Sequence, residues 1–219
     1  MEVIEKKYEE FIKTNIVENK KLIQYRDNNQ LAIIPEGIEY ISNDAFRNNN
    51  GIGAVVLPNT IKEIQDGFIK EAITEEEQDE FLGAFSGSIN LIEVIIPKKL
   101  KRIPACCFAY CSSLKRITLP QSIIDIEKMA FYGCTNLEKV ILPSNVKTIQ
   151  MYAFYNCQSV KYIYIPKSVK YIGKYAFSGL SGNQTIIFEG SEKDTDFFHV
   201  GWNSGFDGKI IWNYKPNKN

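Results

Sequence analysis

The 219 residues carry 26 basic and 26 acidic side chains and are 44% apolar and 12% aromatic, the composition of one ordinary folded domain or two small ones. The longest apolar runs, such as Val55 to Leu57 and Val94 to Ile96, are a few residues long, against the roughly 20 needed to cross a bilayer, which excludes a transmembrane helix. The zero formal charge argues against whole-molecule attraction to nucleic acid or to an anionic membrane.

The first predicted element is a helix over residues 2–13, with Ile4, Tyr8, Phe11 and Ile12 on one face. The charges of this stretch, Glu2, Glu5, Lys6, Lys7, Glu9 and Glu10, leave no basic n-region followed by an apolar h-region, so no secretory signal is read. As it stands the chain is expected in the cytoplasm, and at the cell surface or outside the cell if a leader was trimmed.

From residue 35 the chain repeats. Prolines stand at Pro35, Pro58, Pro97, Pro120, Pro143 and Pro166, at intervals of 23, 39, 23, 23 and 23 residues, so the second unit carries 16 extra residues. Six residues after each proline comes isoleucine: Ile41, Ile64, Ile103, Ile126, Ile149 and Ile172. Eleven after it comes phenylalanine: Phe46, Phe108, Phe131, Phe154 and Phe177, joined by Phe85 once the insertion is subtracted. Alanine precedes five of the six phenylalanines. The next column holds Cys111, Cys134 and Cys157, with Asn49 and Ser88 in the earlier units. Each unit then approaches its proline through an apolar pair such as Ile117 and Leu119.

The physics of one unit follows from these columns. A short strand, for example Arg116 to Leu119, turns Ile117 and Leu119 inward and Arg116 and Thr118 outward. Proline has no N–H for the ladder and ends it. The chain then turns back with Ile126, Ala130 and Phe131 facing inward. A single unit cannot bury these side chains, but stacked units share one core. Seven rungs at about 4.8 Å predict a sheet roughly 30 Å long.

In its cleanest copy, Leu114 to Cys134, the pattern L-x-x-I-x-L-P-x-x-I-x-x-I-x-x-x-A-F-x-x-C resembles the BspA-like leucine-rich repeat family, and the resemblance covers about residues 16 to 200. It implies an α/β-type solenoid: a leucine-rich-repeat right-handed superhelix with a parallel sheet on one face. It also implies that Ile16 to Ile34, with turn residues Asn19 and Asn28-Asn29, is the hairpin that starts the array, and that Phe188-Glu189-Gly190-Ser191 is its terminating rung. The expected organisation is an N-terminal helix and hairpin cap over 1–34, the solenoid over 35–188 and a C-terminal cap over 189–219, rich in aromatics from Phe188 to Trp212. Within the insertion, at about 65–83, Thr74-Glu75-Glu76-Glu77 reads as a capping box opening a short acidic helix that ends near Phe81-Leu82.

Catalysis finds little support. His199 is the only histidine and reads as a structural residue of the terminal cap; no phosphate-binding loop, dinucleotide fingerprint or nucleophile elbow is present. An enzyme would have to be built on His199 and Cys106. The stacked cysteines Cys111, Cys134 and Cys157 form a line, poor geometry for tetrahedral zinc, although neighbouring rungs lie within disulfide reach; they read as free, buried side chains, Cys107 likewise, with Cys106 exposed and reactive. No cofactor or metal is expected.

Recognition is expected on the outward side of the sheet. Ile33, Val56, Ile95, Thr118, Ile141, Tyr164 and Ile187 form one file, and Arg116, Lys139 and Tyr162 belong to the next. Water-facing sheet positions ordinarily turn polar, so this apolar stripe predicts a protein-binding face, against the alternative that β-propensity alone chooses these residues. A basic rim of Lys98, Lys99, Lys101, Arg102, Lys147, Lys167, Lys170 and Lys174 is expected along one edge and makes a glycan a further partner class. The resemblance implies adhesion or host-surface binding. The alternative is a structural module or intracellular adaptor that self-associates, because residues 1–90 carry 9 basic and 17 acidic side chains (net −8) while residues 91–180 carry 13 and 4 (net +9).

Overall fold

Each unit delivers one strand, because the period-2 alternation before the proline buries two side chains and exposes the two between them. A computed structural model, describing residues 2–27, 29–70, 80–180, 182–195 and 198–215, arranges these strands in one eight-stranded parallel sheet in chain order: Leu31–Ile33, Ala54–Val56, Glu93–Ile95, Arg116–Thr118, Lys139–Ile141, Tyr162–Ile165, Thr185–Phe188 and Lys209–Ile211. The register is strict, with Val94 opposite Ile117, Ile117 opposite Val140 and Val140 opposite Ile163. The molecule is therefore a parallel solenoid of about eight turns with an N-terminal helix.

The file of isoleucines six residues after the prolines builds a second side of the coil. Arg102–Ile103, Asp125–Ile126, Thr148–Ile149 and Tyr171–Ile172 form one four-stranded parallel sheet, and Tyr40–Ile41 and Glu63–Ile64 continue a second that begins with the N-terminal hairpin. The six isoleucines are fully buried.

The third side is made of turns, and its core is the phenylalanine file. Phe46, Phe85, Phe108, Phe131, Phe154 and Phe177 lie at ring separations of 4.7, 5.1, 5.4, 5.2 and 5.9 Å, with no pair tilted by more than 11°. Backbone bonds hold the rings in step: the amides of Phe108, Phe131 and Phe154 each donate over 2.9 Å to Ala130, Ala153 and Ala176 of the following unit. Burial of each ring stabilises by about 1.5–3 kcal/mol, and near-parallel aromatic contacts add roughly 0.5–1.5 kcal/mol per pair.

The polar column beside this file has a physical function that its spacing does not announce. Ser88 Oγ donates to Phe46 O over 2.6 Å, and Cys111, Cys134 and Cys157 Sγ donate to Phe85, Phe108 and Phe131 O over 3.0, 3.1 and 3.2 Å. Serine and cysteine thus share the column because each is small and carries one donor that reaches the carbonyl of the preceding unit.

Both ends of the file are closed by aromatic residues. Tyr25 packs at 5.1 Å on Phe46, and Phe11 of the helix Glu2–Thr14 at 6.2 Å on Tyr25. Of the four residues predicted on the inner helix face, Tyr8 and Phe11 pack against the core, while Ile4 and Ile12 are 50% and 42% exposed. Gly37 sits at φ +104°, a conformation that L side chains rarely adopt, and a Cβ there would lie 3.1 Å from the Tyr8 ring, so glycine eases the close approach of the helix. At the other end Trp202 meets Phe177 edge-on at 6.1 Å, and Trp212 stacks on Phe188 at 4.1 Å.

Three expectations need correction. The hairpin is Ile16–Glu18 against Lys21–Gln24, turning through Asn19 and Lys20 at φ 49° and 64°, shorter than the expected Ile16 to Ile34, since Leu31–Ile33 joins the long sheet as the first of the seven expected rungs. The terminal segment does not stop at Phe188-Ser191: Lys209–Ile211 returns to add an eighth strand, Ile210 opposite Ile186, where seven were expected. The acidic helix of the insertion begins on residues outside those described, and its expected end is instead a strand, Glu80–Leu82, antiparallel to Phe68–Lys70. The reason for the strand is tertiary: Ile69 and Phe81, paired in that hairpin, pack together against Met129. The core runs past the insertion unbroken, since Phe46 N donates to Ala84 O and Phe85 N to Cys107 O.

Candidate functional site

The outward residues of the long sheet come from eight rungs but form straight files. Ile33, Val56, Ile95, Thr118, Ile141, Tyr164, Ile187 and the newly added Ile211 are neighbours in unbroken register. Ile33, Ile95 and Ile141 are 63%, 52% and 55% exposed, a high value for isoleucine on three rungs of one face. In the next file Leu31 and Tyr162 are also exposed, and Arg116 lies between Glu93 and Lys139. Every predicted sheet-face residue is thus on one surface, though not all to the same degree.

Val56, Tyr164 and Ile187 are only half exposed. Tyr164 is engaged by the C-terminal segment: its hydroxyl donates to Glu189 Oε1 and its ring meets Tyr214 edge-on at 5.7 Å. Burial, together with the Glu189 carboxylate that holds its proton, pushes the Tyr164 phenol up. Tyr164 therefore ties the cap to the sheet, and the freely presented aromatic is Tyr162.

The expected basic rim is only partly realised. Lys98, Lys99, Lys101, Lys147, Lys167 and Lys170 are exposed, but Arg102 turns to Asp66 and to Glu63, 3.2 Å away, and Lys174 lies with its Nζ 4.6 Å above the Tyr175 ring. Arg102 leaves the rim because two carboxylates of the preceding unit face it across the break in the short-strand sheets.

The residues on which catalysis would depend are apart. The His199 amide donates to Ile172 O over 2.8 Å, and the imidazole is exposed rather than packed among the cap aromatics. Cys106 follows Ile103, three rungs before Ile172 in the short sheet, a separation of about 14 Å. Cys106 is also buried, only 2% exposed, and not the surface thiol expected. The hairpin of the insertion and Met129 cover it. Burial pushes its thiol up to about 11 and raises those of Cys107, Cys111, Cys134 and Cys157 as well. Among the described residues no group of three His, Cys, Asp or Glu side chains is placed to hold a metal ion.

All five cysteines are free, which leads to a test. At about pH 8 an ordinary thiol is roughly one quarter thiolate, whereas a group at about 11 is thiolate in about one molecule in a thousand. Iodoacetamide is expected to leave all five unlabelled in the native protein and to label all five after unfolding. Rapid native labelling of Cys106, read by mass spectrometry, would contradict the burial described here.

With this geometry established, comparison with known proteins places the chain. The sequence profile of the BspA type leucine rich repeat region matches in six copies over residues 15–75 and 82–197, and the chain belongs to this family. Among curated proteins none matches it. Of solved structures, a leucine-rich repeat protein from Eubacterium ventriosum ATCC 27560 is 22% identical with a TM-score of 0.59, over 75% of this chain and 47% of that one. A leucine rich cell surface protein from Faecalibacterium prausnitzii A2-165 is 23% identical with a TM-score of 0.56, over 80% and 52%. The chain thus spans about half the length of these relatives, and at such identity the likeness is one of fold. Among the described residues no helix is long and apolar enough to cross a membrane.

One feature of the third side was missed by the sequence reading: tyrosines gather beside the phenylalanine file in the middle and last units. Their signal was present, as Tyr132 and Tyr155 stand twelve residues after their prolines and Tyr152 and Tyr175 nine.

Proposed function

We propose that the protein is a non-catalytic interaction module that binds a protein partner through the outward face of its long sheet, in an adhesive role at a cell surface. The observation that supports this reading best is the file of Ile33, Ile95 and Ile141, each more than half exposed on a flat, hydrogen-bonded sheet with little freedom to withdraw them. Exposed apolar side chains in register on a rigid surface lose little entropy on binding and bury well against a complementary face. Arg116 and Lys139 beside them supply orientation through charge. The cell-surface description of the Faecalibacterium structure agrees with the location proposed.

The test is capture from a native extract, identification of the captured protein, and titration with the purified partner. The double substitution Ile141→Ser and Tyr162→Ala is expected to weaken affinity at least tenfold, the scale of interface residues that cost more than about 1.4 kcal/mol each. Both positions are exposed and outside the core, so the thermal midpoint should stay within about 2 °C of the parent. Undiminished affinity in a folded double variant would refute the sheet face as the binding surface.

A further inference from the structure

The outward side of the long sheet carries three charges in line. Glu93, Arg116 and Lys139 stand on the third, fourth and fifth of its eight rungs, opposite one another in register, and all three are exposed. None of them belongs to an ion pair among the described residues, although Glu93 and Arg116 are neighbours. In the file beside them Ile33, Ile95 and Ile141 are more than half exposed, and Leu31 and Tyr162 are open at the two ends of the charged file. Unneutralised charges of both signs next to uncovered apolar side chains suit a surface of matching pattern, and the order of the signs along the rungs restricts what that surface is.

We propose that the occupant of this face is a second copy of the chain, related by a two-fold axis that runs parallel to the strands and passes between the third and fourth rungs; this rests on the reading that the sheet face binds protein, and names the protein. Such an axis turns the two faces toward each other and reverses the order of the rungs, so one contact is made twice. Glu93 of each copy then lies opposite Arg116 of the other, giving two ion pairs. In the same file Ala54, the smallest outward side chain of the six rungs involved, meets the long Lys139, and Leu31 meets Tyr162. In the second file Ile33 meets Tyr164, Val56 meets Ile141 and Ile95 meets Thr118. These pairings follow from the register of the strands alone.

Charge selects this register over its neighbours. An axis between the fourth and fifth rungs sets Arg116 against Lys139, and one centred on the third, fourth or fifth rung sets Glu93, Arg116 or Lys139 against its own copy. An axis between the fifth and sixth rungs pairs Glu93 with Lys209 but leaves the exposed Leu31 and Ile33 uncovered. A two-fold along the solenoid axis instead sets Glu93 against Ile95 and Lys139 against Ile141, a charge against an apolar side chain each time. The first rung is free to take part, because Ile33 is 63% exposed and so not covered by the N-terminal helix. Six rungs at about 4.8 Å make a contact roughly 29 Å long, at the low end of specific interfaces, for which a dissociation constant of about 10⁻⁵ M is expected.

Sedimentation equilibrium of the full chain at low salt, over about 1 to 300 µM, is expected to show a monomer–dimer equilibrium that weakens at least tenfold in about 0.5 M salt, where charges are screened over about 4–5 Å. Glu93→Arg and Arg116→Glu are surface changes and should leave the circular dichroism of the parent intact. Each alone opposes like charges twice and is expected to weaken the dimer at least tenfold. Mixed in equal amounts, the two variants should associate with the affinity of the parent, because every opposed pair then has opposite signs, and the chain carrying both changes should dimerise as the parent does. A parent that stays monomeric at about 300 µM, single variants that dimerise undiminished, or a mixture that fails to associate would overturn the proposal. If the parent is monomeric while a different protein is captured and then lost with Ile141→Ser and Tyr162→Ala, the sheet face stands as a binding surface and the second copy is refuted as its occupant.

Discussion

Ile126→Asp is expected to abolish the folded array at neutral pH. Ile126 is fully buried in the apolar core and lies between Ile103 and Ile149 in the short-strand sheet, whose side chains offer a new carboxylate no partner. An uncompensated charge at such a site costs several kcal/mol on top of the roughly 2–5 kcal/mol lost with the isoleucine side chain, against a total stability of about 5–15 kcal/mol for a domain. The sign of the pH dependence follows from burial. The folded state would raise the aspartate pKa above its unfolded value of about 3.9, so the variant loses stability as pH rises through that window and regains part of it near pH 4, where the neutral acid is buried instead. Far-ultraviolet circular dichroism at pH 7 and pH 4 reads both effects. A cooperative transition like that of the parent at pH 7 would show that Ile126 is not in the shared core.

Phe131→Ala is expected to cost about 3–5 kcal/mol, the upper range for a single core truncation, because it removes a fully buried ring with neighbours at 5.4 and 5.2 Å. For a chain of this size that corresponds to a fall in thermal midpoint of roughly 6–20 °C. The position adds a second signature. A solenoid is held together by contacts between nearest neighbours, so a gap in the middle of the file weakens the coupling of the units up to Phe108 with those from Phe154. Native-state hydrogen exchange is expected to show the two halves opening with different free energies in the variant. A loss below about 1 kcal/mol would mean that the file is not continuous.

The repeating columns were legible because repetition multiplies a weak signal. One apolar residue six positions after a proline says little, but the same residue in six units, with phenylalanine five further on in five of them and beyond the 16-residue insertion in the other, leaves stacking as the one arrangement that buries them all. The outward sheet file followed from the same argument, since strand alternation assigns each side chain to a face without reference to its neighbours. What alternation does not assign is how far each outward residue is covered. Tyr164 and Ile141 hold the same column, yet the cap segment reaches Tyr164 through Glu189 and Tyr214 and leaves Ile141 open.

The failures share a cause. Cys106 read as exposed because its unit alone gives no reason for burial; the lid over it comes from the insertion hairpin. Arg102 read as a rim cation because its partners Asp66 and Glu63 stand 36 and 39 residues away. The eighth strand was invisible because Lys209–Ile211 carries no proline and no repeat spacing, and joins the sheet only by continuing the register of Thr185–Phe188.

By itself, then, the amino-acid order determined which side chains of the repeating units face inward, how those units stack and which face of the sheet is presented, all of them consequences of periodicity along a chain whose units contact only their neighbours. The folded molecule alone decided which surfaces the non-repeating segments cover, and that a hairpin and four tyrosines from three units meet on the turn side. Those contacts join residues with no fixed spacing, and the free energy that selects them is that of burial against a surface which exists only once the coil has been built.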